Sequence, residues 1–449
     1  MIENDAFKLL LINLFHLNPD DITNIVCTTF NKMMVLLVTL ADKHQACPYC
    51  GFTAPKIKEY VTKEITHSAL TTQKCIIKYR ARRYKCPCCG KTYYEFNPFV
   101  FKSQKISILT VHNILKDLKD FNETFTSVAR RYHVSPTSVS TIFDNHVDIG
   151  RNPLPEIINF DEVYAFKSEK SKYVCVLLDF KKQIPVDVLP NRKKEYLLNY
   201  FQKIPLEERK KVKYACSDMY EVYRDVVHKV FPEAKHLLDY FHLSQDFHKK
   251  MNEVRIKVMK GYKDNKASDE YYLLKKFNWL LFKNPEDEDK HGRLFDVERE
   301  RKYNSHFKSY MNYYDLRKKL LDINNDLTIC YSLKLELVDF YSKSTIDNAK
   351  VNLENLIRSC IDTNIEEMIK FSNNLINWKQ EIINSFTIVD TEYKVEADKG
   401  QVVVCNKKVN NAIIENRNKI IKCIKNNANG YTNWLRFRNR VMYVLDSNA

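Results

Sequence analysis

Glycine is scarce in this chain, with only 7 among 449 residues, so long flexible Gly-rich linkers are excluded. An uninterrupted apolar run of about 18 residues is missing too, so we expect no membrane-spanning helix and no membrane partner. The first five residues, 1–5, lack the basic start of a signal peptide. These absences together predict a cytoplasmic protein.

Acidic residues are in deficit. The chain has 72 Lys and Arg against 56 Asp and Glu, a formal net charge of +16. A surplus of this size favours a polyanionic partner, and double-stranded DNA is the main candidate because Lys and Arg neutralise its phosphates. An anionic membrane surface is the competing interpretation. The length predicts two to four domains.

The 13 cysteines are an odd number, which argues against a disulfide framework in a cytosolic protein. Two segments nevertheless form a pattern, Cys47-Pro48-Tyr49-Cys50-Gly51 and Cys86-Pro87-Cys88-Cys89-Gly90. Each is a C-x-x-C knuckle followed by glycine, and four thiolates complete a tetrahedral structural zinc site. The pattern predicts a zinc ribbon, with a redox C-x-x-C or chance as the alternative.

Other residues near the knuckles have weaker predictions. Cys75 and Cys88 are surplus and are not expected to be ligands. Arg82 and Arg83 lie beside the second knuckle, where they could contact DNA phosphates. A solvated basic strand is nearly as good an interpretation of these two arginines.

A helix-turn-helix is predicted after the zinc ribbon. Residues 127–132 have helical character, and Ser135-Pro136 begins a second helix with Ser as its N-cap. Val139, Ile142 and Phe143 form its buried stripe. The outward residues near its start are then placed as in a recognition helix in the major groove. An ordinary helical hairpin is the alternative. The predicted DNA-binding residues here are Arg130, Arg131, Thr137, Ser138 and Thr141.

From residue 153 the pattern changes to three strands, a helix, and then strand, helix and strand. This is the order of a ribonuclease-H-like mixed sheet, in which the first and fourth strands are neighbours. Asp161 and Asp218 would lie at equivalent points of those two strands and could share metal ions. A third carboxylate is needed, and spacing leaves Glu415, Glu286 and Asp239 open.

Glu415 lies in a late predicted helix whose apolar stripe is Ile413, Ile420 and Ile424. Asn418, Lys419 and Lys422 are expected on the face of Glu415. We predict that Lys419 and Lys422 contact DNA.

The predicted fold is therefore a multidomain α/β protein. It combines an N-terminal zinc ribbon, a helix-turn-helix and a ribonuclease-H-like sheet with a large α-helical insertion. The predicted ranges are an N-terminal segment (1–40), the zinc ribbon (41–98), the helix-turn-helix domain (99–152), the first part of the core (153–244), the helical insertion (245–395) and the C-terminal part of the core with the Glu415 helix (396–449).

Several short motifs, taken in order, resemble the ISL-three family of bacterial insertion-sequence transposases over nearly the whole chain. No single motif is decisive, but their order is specific. Besides the knuckles and the helix-turn-helix, they are 160–162, 187–192, 218–220, 239–242, 278–285, 415–422, 430–431 and 434–438.

The resemblance implies a DDE catalytic core interrupted by a helical insertion. It also implies that Asp161, Asp218 and Glu415 hold Mg²⁺ or Mn²⁺, and it selects Glu415 among the three candidates. Asp239 and His242 match a D-x-x-H element with a supporting role near the site. The sequence departs from the family at Asn416, where glycine is usual, and at 410–411, where small residues are usual.

The implied activity is cleavage of DNA at terminal inverted repeats, followed by strand transfer. Two transposon ends must be paired, so a homodimer or larger assembly is expected. One rival is an inactive or domesticated copy that acts as a zinc-containing DNA-binding regulator. The others are a nuclease that cuts without joining and an RNA-binding zinc protein.

Overall fold

The computed structural model describes residues 2–43, 46–101, 104–166, 171–394 and 402–446. The described chain forms two compact units. The first unit comprises the residues up to Gly150, a short piece beginning at Tyr164, and the residues from Lys419 onward. The second unit contains Arg151–Val163 and the described residues from 171 to Asn418.

The first unit begins with a helix and five strands, followed by three helices. Their bounds are α1 (Ile2–Leu14), β1 (Ile22–Phe30), β2 (Met33–Leu40), β3 (Lys56–Thr66), β4 (Cys75–Lys85), β5 (Thr92–Tyr94), α2 (Ile108–Asp117), α3 (Phe125–Arg131) and α4 (Pro136–His146), with a 3₁₀ turn at Pro19–Asp21.

The five strands make one sheet in the order β1-β2-β4-β3, with β5 also paired to β4. Strand β2 runs parallel to β4. The predicted N-terminal segment and the predicted zinc ribbon therefore contribute to the same sheet. Its buried face packs against Leu11 and Ile12 of α1 and against Phe15, which follows the helix.

The second unit opens with the strands and helices of its main sheet. Their bounds are β6 (Ile157–Val163), β7 (Val174–Asp179), β8 (Pro185–Leu189), α5 (Lys194–Gln202), α6 (Leu206–Arg209), β9 (Tyr214–Ser217), α7 (Glu221–Val230) and β10 (Lys235–Leu238). The strand order is β10-β9-β6-β7-β8.

Strand β6 pairs antiparallel with β7 and parallel with β9. The first and fourth strands of this sheet are thus neighbours, as the sequence predicted. Every residue of β7 is buried, which explains its unbroken apolar run. β8 lies at the sheet edge, where Pro185 removes no ladder hydrogen bond that the sheet needs.

A mainly helical stretch follows β10 and has a large core of its own. Its elements are α8 (Tyr240–Lys260), α9 (Asp269–Lys276), a 3₁₀ helix (Asn278–Phe282), the short strands β11 (Glu288–Asp289), β12 (Gly292–Arg293), β13 (Lys302–Asn304) and β14 (Ser309–Met311), and the helices α10 (Tyr313–Leu321), α11 (Asn325–Lys343), α12 (Ala349–Asp362), α13 (Glu366–Asn377) and α14 (Lys379–Asn384).

The chain then forms a hairpin and two helices, β15 (Ile388–Lys394), β16 (Val402–Lys408), α15 (Ala412–Asn427) and α16 (Trp434–Leu445). The predicted boundary at 396 lies outside the described residues. Helix α15 begins in the second unit and ends in the first. Helix α16 lies in the first unit, where the buried Arg440 donates to the carbonyls of Asp120 and Glu123, both at 2.9 Å.

None of the helices in the described ranges is long and apolar enough to span a membrane.

Candidate active site and metal centres

Asp161 and Asp218 lie on adjacent parallel strands of the second unit. The last paired positions of β6 and β9 are Asn159 and Cys216, and each aspartate lies two residues further along its strand direction. Both carboxylates therefore lie at the same edge of the sheet. Asp239 follows β10, the next parallel strand, and lies at this edge as well.

Burial and the neighbouring Asp218 carboxylate raise the pKa of Asp161 to about 7. Glu415 and Asp239 add to this rise, which means that both carboxylates are near Asp161. Burial also raises the pKa of Asp218. Carboxylates that resist ionisation when brought together are suited to a dication, which removes their mutual repulsion.

His242 stands in the first turn of α8, and its Nδ1 donates to Oδ2 of Asp239 at 3.0 Å. Burial opposes protonation of this imidazole, but the hydrogen bond and charge of Asp239 outweigh it and raise the pKa of His242. Ligand atoms of Asp239, His242 and Glu415 lie within 4.8 Å of one another. The structure thus brings all five predicted acid-site residues together.

Asparagine side chains connect these acids to the sheet. Asn418, one turn after Glu415, donates to Oδ2 of Asp161 at 2.7 Å. Asn411 donates its backbone N–H to Oδ1 of Asp239 at 3.2 Å. The amide of Asn159 donates to Oδ1 of Asn411 at 2.7 Å and to the carbonyl of Asn410 at 2.8 Å. The two asparagines that depart from the family pattern therefore attach the start of α15 to β6.

The buried face of α15 differs slightly from the predicted stripe of Ile413, Ile420 and Ile424. Its buried positions are Ile414, Asn418, Ile421 and Ile424, and Asn411 is buried just before the helix begins. Polar residues at apolar-stripe spacing were the available indication that Asn411 and Asn418 point inward. Glu415 is half-buried, and Lys419 and Lys422 are exposed on the part of the helix that belongs to the first unit.

Arg192 is a further charged residue at this site that the sequence analysis did not single out. It forms an ion pair with Glu162, the residue after Asp161, and lies over the rings of Tyr173 and Tyr220. Its positive charge opposes the rise in the pKa of Asp218. Its position within the 187–192 motif was the only indication in the sequence.

The donor set fits a divalent ion. Oδ1 of Asp218 and Oδ1 of Asn418 are buried and have no hydrogen-bond partner among the described residues. Mg²⁺ and Mn²⁺ prefer oxygen ligands of this kind, together with water and phosphate.

The four knuckle cysteines form a second candidate metal centre, in the first unit. Sγ of Cys47 lies 3.7 Å from that of Cys89, and Sγ of Cys50 lies 3.5 Å from that of Cys86. All four sulfurs lie within 4.8 Å of one another, so they can surround a single zinc ion.

The two knuckles share one backbone arrangement. Gly51 and Gly90 have φ of 76° and 72°, and each donates its N–H to the carbonyl of the first cysteine of its knuckle. Glycine adopts this left-handed conformation without steric cost. Cys75 is buried in β4 and Cys88 is exposed, and neither belongs to the cluster.

Two helices, α3 and α4, form where the sequence predicted the helix-turn-helix. Ser135 caps α4 by accepting from the N–H of Ser138 at 3.0 Å, and Val139, Ile142 and Phe143 are buried. A cleft in the first unit of about 520 Å³ runs beside α4. Its lining includes Thr137, Ser138 and Thr141.

The predicted DNA-binding arginines differ in how exposed they are and in whether they form ion pairs within the protein. Arg130 is exposed. Arg131 forms ion pairs with Asp117 and Glu123, so it joins α2 and α3. Arg82 pairs with Glu95 at 2.7 Å and donates to the carbonyl of Leu40.

Arg83 pairs with Glu59 at 2.7 Å and remains partly exposed. Arg82 and Arg131 thus have internal partners that the sequence did not reveal.

A family model described as transposase, of the ISL-three DDE type, matches residues 158–397, more than half of the chain. The chain belongs to the ISL-three family of transposases. It is also similar to the transposase for insertion sequence element IS1001 of Bordetella parapertussis. The two are 19% identical over 409 residues, which cover 91% of this chain and 90% of the relative.

Proposed function

We propose that this transposase serves a bacterial insertion sequence, and that it binds the terminal inverted repeats and catalyses metal-dependent DNA cleavage and strand transfer. The observation that carries the proposal is the convergence of Asp161, Asp218 and Glu415 at one edge of a mixed sheet. We assign that sheet to a ribonuclease-H-like core, which the mainly helical stretch between β10 and β15 interrupts.

Asp161, Asp218 and Glu415 would hold two Mg²⁺ or Mn²⁺ ions, which stabilise the attacking and leaving oxygens of phosphoryl transfer. Asn418 keeps Asp161 oriented through its 2.7 Å hydrogen bond. Asp239 fixes the imidazole of His242, which supports the acids from the side of α8. In this scheme the nucleophile is water and then a DNA 3′-hydroxyl, so no protein side chain is covalently modified.

The first unit would bind the DNA ends. Thr137, Ser138 and Thr141 would face base edges in the major groove, and Arg130, Arg83, Lys419 and Lys422 would contact phosphates. The zinc ribbon would hold Zn²⁺ as a structural ion. Because two ends are joined in one reaction, the active form would be a homodimer or larger assembly.

The test is cleavage of a DNA duplex that carries the element's own end, with Mg²⁺ present and absent. Asp161→Asn is expected to lose cleavage at least about a thousandfold while binding the duplex as the wild type does. Glu207→Gln, an exposed residue of the same unit, is the matched control. Cleavage by Asp161→Asn at the wild-type rate would overturn the assignment.

Strand transfer of a pre-cut end into a target duplex separates a transposase from a nuclease that only cuts. A wild-type chain that binds the ends but neither cuts nor joins them would support the regulator instead.

A further inference from the structure

A third group of metal-binding side chains lies in the second unit, apart from the acids and the cysteines. It consists of His228 on α7, His236 on β10 and Glu381 on α14. Their candidate ligand atoms lie within 4.8 Å of one another, and Nε2 of His228 is 4.0 Å from Oε1 of Glu381.

The hydrogen bonds of His236 determine its tautomer. Ser217 donates its only hydroxyl proton to the carbonyl of Asp218 at 2.9 Å. The 2.9 Å contact between Ser217 Oγ and Nε2 of His236 therefore requires the imidazole to donate. Nε2 then carries the proton, and Nδ1 presents a lone pair.

That lone pair has no partner. His236 is 1% exposed, and its Nδ1 is a buried atom without a hydrogen-bond partner among the described residues. Leaving a buried acceptor unpaired is costly. A histidine whose second nitrogen donates to a fixed oxygen is the usual arrangement of a metal ligand.

Glu381 adds the charge that a cation needs. It is 5% exposed, and among the described residues its one ion-pair partner is the imidazole of His228. The nearby cation, Arg224, lies over the ring of Trp378 and donates to the carbonyl of Asn377 at 2.9 Å. A buried carboxylate beside two imidazoles forms a site with net charge −1 when both histidines are neutral.

We propose that His228, His236 and Glu381 form a binding site for a divalent transition metal, with Zn²⁺ as the best-fitting ion. Two nitrogens and one carboxylate oxygen match the ligand preference of Zn²⁺, whereas Mg²⁺ prefers oxygen alone. Zinc ligands lie about 3.3 Å apart in a tetrahedron, so the side chains must move together slightly. His228 is exposed enough to make that movement.

The metal would join three elements that are distant in sequence. Asn384 of α14 already donates to the carbonyl of His236 at 2.9 Å. The ring of Trp378 packs edge-on against the imidazole of His236. A bound metal would therefore hold α7 and α14 against the start of β10. Through Ser217 it also fixes the backbone that precedes Asp218.

The test is the zinc content of the full-length protein, measured by elemental mass spectrometry after dialysis. His228→Ala and Glu381→Gln are expected to hold one zinc fewer per chain than the wild type. His291→Ala, an exposed histidine of the same unit, is the matched control and should equal the wild type. Comparing variants cancels zinc bound at the cysteines or the acids.

Cobalt substitution identifies which ion is lost. In the cobalt-substituted protein, His228→Ala should lose the weak visible absorption bands of cobalt at the proposed site. The intense thiolate-to-cobalt bands of the cysteine site should persist. Circular dichroism verifies that each variant is folded. His228 is on the surface, so its substitution decides the matter even if Glu381→Gln unfolds. Equal zinc content in His228→Ala and the wild type, or no zinc beyond the cysteine site in the wild type, would overturn the proposal.

Discussion

Asparagine side chains hold the candidate catalytic acids in place. Asn159 and Asn411 are fully buried and bond to each other, and Asn418 bonds to Asp161. A neutral amide can donate to a carboxylate without cancelling its charge, so the acid stays available to a cation. Residues 410–411 differ from the family pattern, yet they contact β6 through well-formed hydrogen bonds.

Metal binding at the acid site should depend on pH. The pKa of Asp161 is about 7, so protons compete with the metal as the pH falls through neutrality. Below this pKa we expect Mn²⁺ affinity to fall up to about tenfold per pH unit, and above it to level off. Calorimetric titration of the zinc-loaded protein across this range measures the effect. Asp161→Asn should flatten the profile; an unchanged slope in this variant would assign the titration to another group.

Asn418→Ala should shift the pH dependence of Mn²⁺ binding. Its amide stabilises the ionised form of Asp161, and a hydrogen bond to a charged group contributes about 1.5–3 kcal/mol. Losing it raises the pKa of Asp161 further, so half-maximal Mn²⁺ binding should shift upward by about one to two pH units. Asn426→Ala, exposed on the same helix, should leave the profile in place. A shift of equal size in both variants would point to a general effect on α15.

Ser135 is the N-cap that stabilises the first turn of helix α4. Ser135 accepts the N–H of Ser138, so Ser135→Ala should destabilise the first turn by about 1 kcal/mol. Hydrogen exchange of the α4 amides should accelerate about fivefold. Ser140→Ala is the control, because its hydroxyl only donates to the carbonyl of Thr137 within the helix. Equal exchange in Ser135→Ala and the wild type would show that packing alone sets the helix start.

The knuckles allow a comparison between two neighbouring cysteines. Cys89 belongs to the four-sulfur cluster, whereas Cys88 is exposed outside it. We expect Cys89→Ser to lose zinc on dialysis, with faster hydrogen exchange in β4 and β5, because a structural zinc site needs all four ligands. Cys88→Ser should keep zinc and exchange as the wild type does. Zinc retained by Cys89→Ser would contradict a four-thiolate site.

Local chemistry made several elements predictable. The Ser135-Pro136 start of α4, the knuckle glycines and the apolar run of β7 each carry their structural reason within a few residues. Strand β1 was missed, because most of its side chains are exposed and it shows no clear apolar face. The partners of Arg82 and Arg131 could not be read from the sequence either, since they come from distant positions whose contact depends on the folded sheet and helices.

At the acid site, too, some residues could be predicted from the local sequence and others could not. Asp161 and Asp218 follow from strand order, because adjacent parallel strands bring equivalent positions together. Glu415 lies almost 200 residues after Asp218, and no local pattern links the two, so the family resemblance selected it.

The charge of the whole molecule should govern its affinity for DNA. With a net charge of +16, binding of an end duplex should weaken steeply as salt rises, through counterion release. Arg130→Ala should weaken binding to all sequences alike and reduce the slope of log K against log salt by about one. Thr137→Ala should instead alter sequence preference and leave the slope unchanged. Fluorescence anisotropy on specific and scrambled duplexes distinguishes the two. An altered sequence preference in Arg130→Ala would show instead that Arg130 contacts base edges.

The late position of Glu415 has a consequence for biosynthesis. Ribosomes add about 5–20 residues per second, so roughly ten seconds or more separate the synthesis of Asp218 from that of Glu415. During that interval the nascent chain holds two of the three acids and cannot assemble the proposed nuclease. Any chain whose translation stops in this interval would carry complete knuckles and a complete helix-turn-helix sequence but no cutting activity. Under the proposed assignment of Glu415, the order of the residues along the chain would delay DNA cleavage until translation has passed α15.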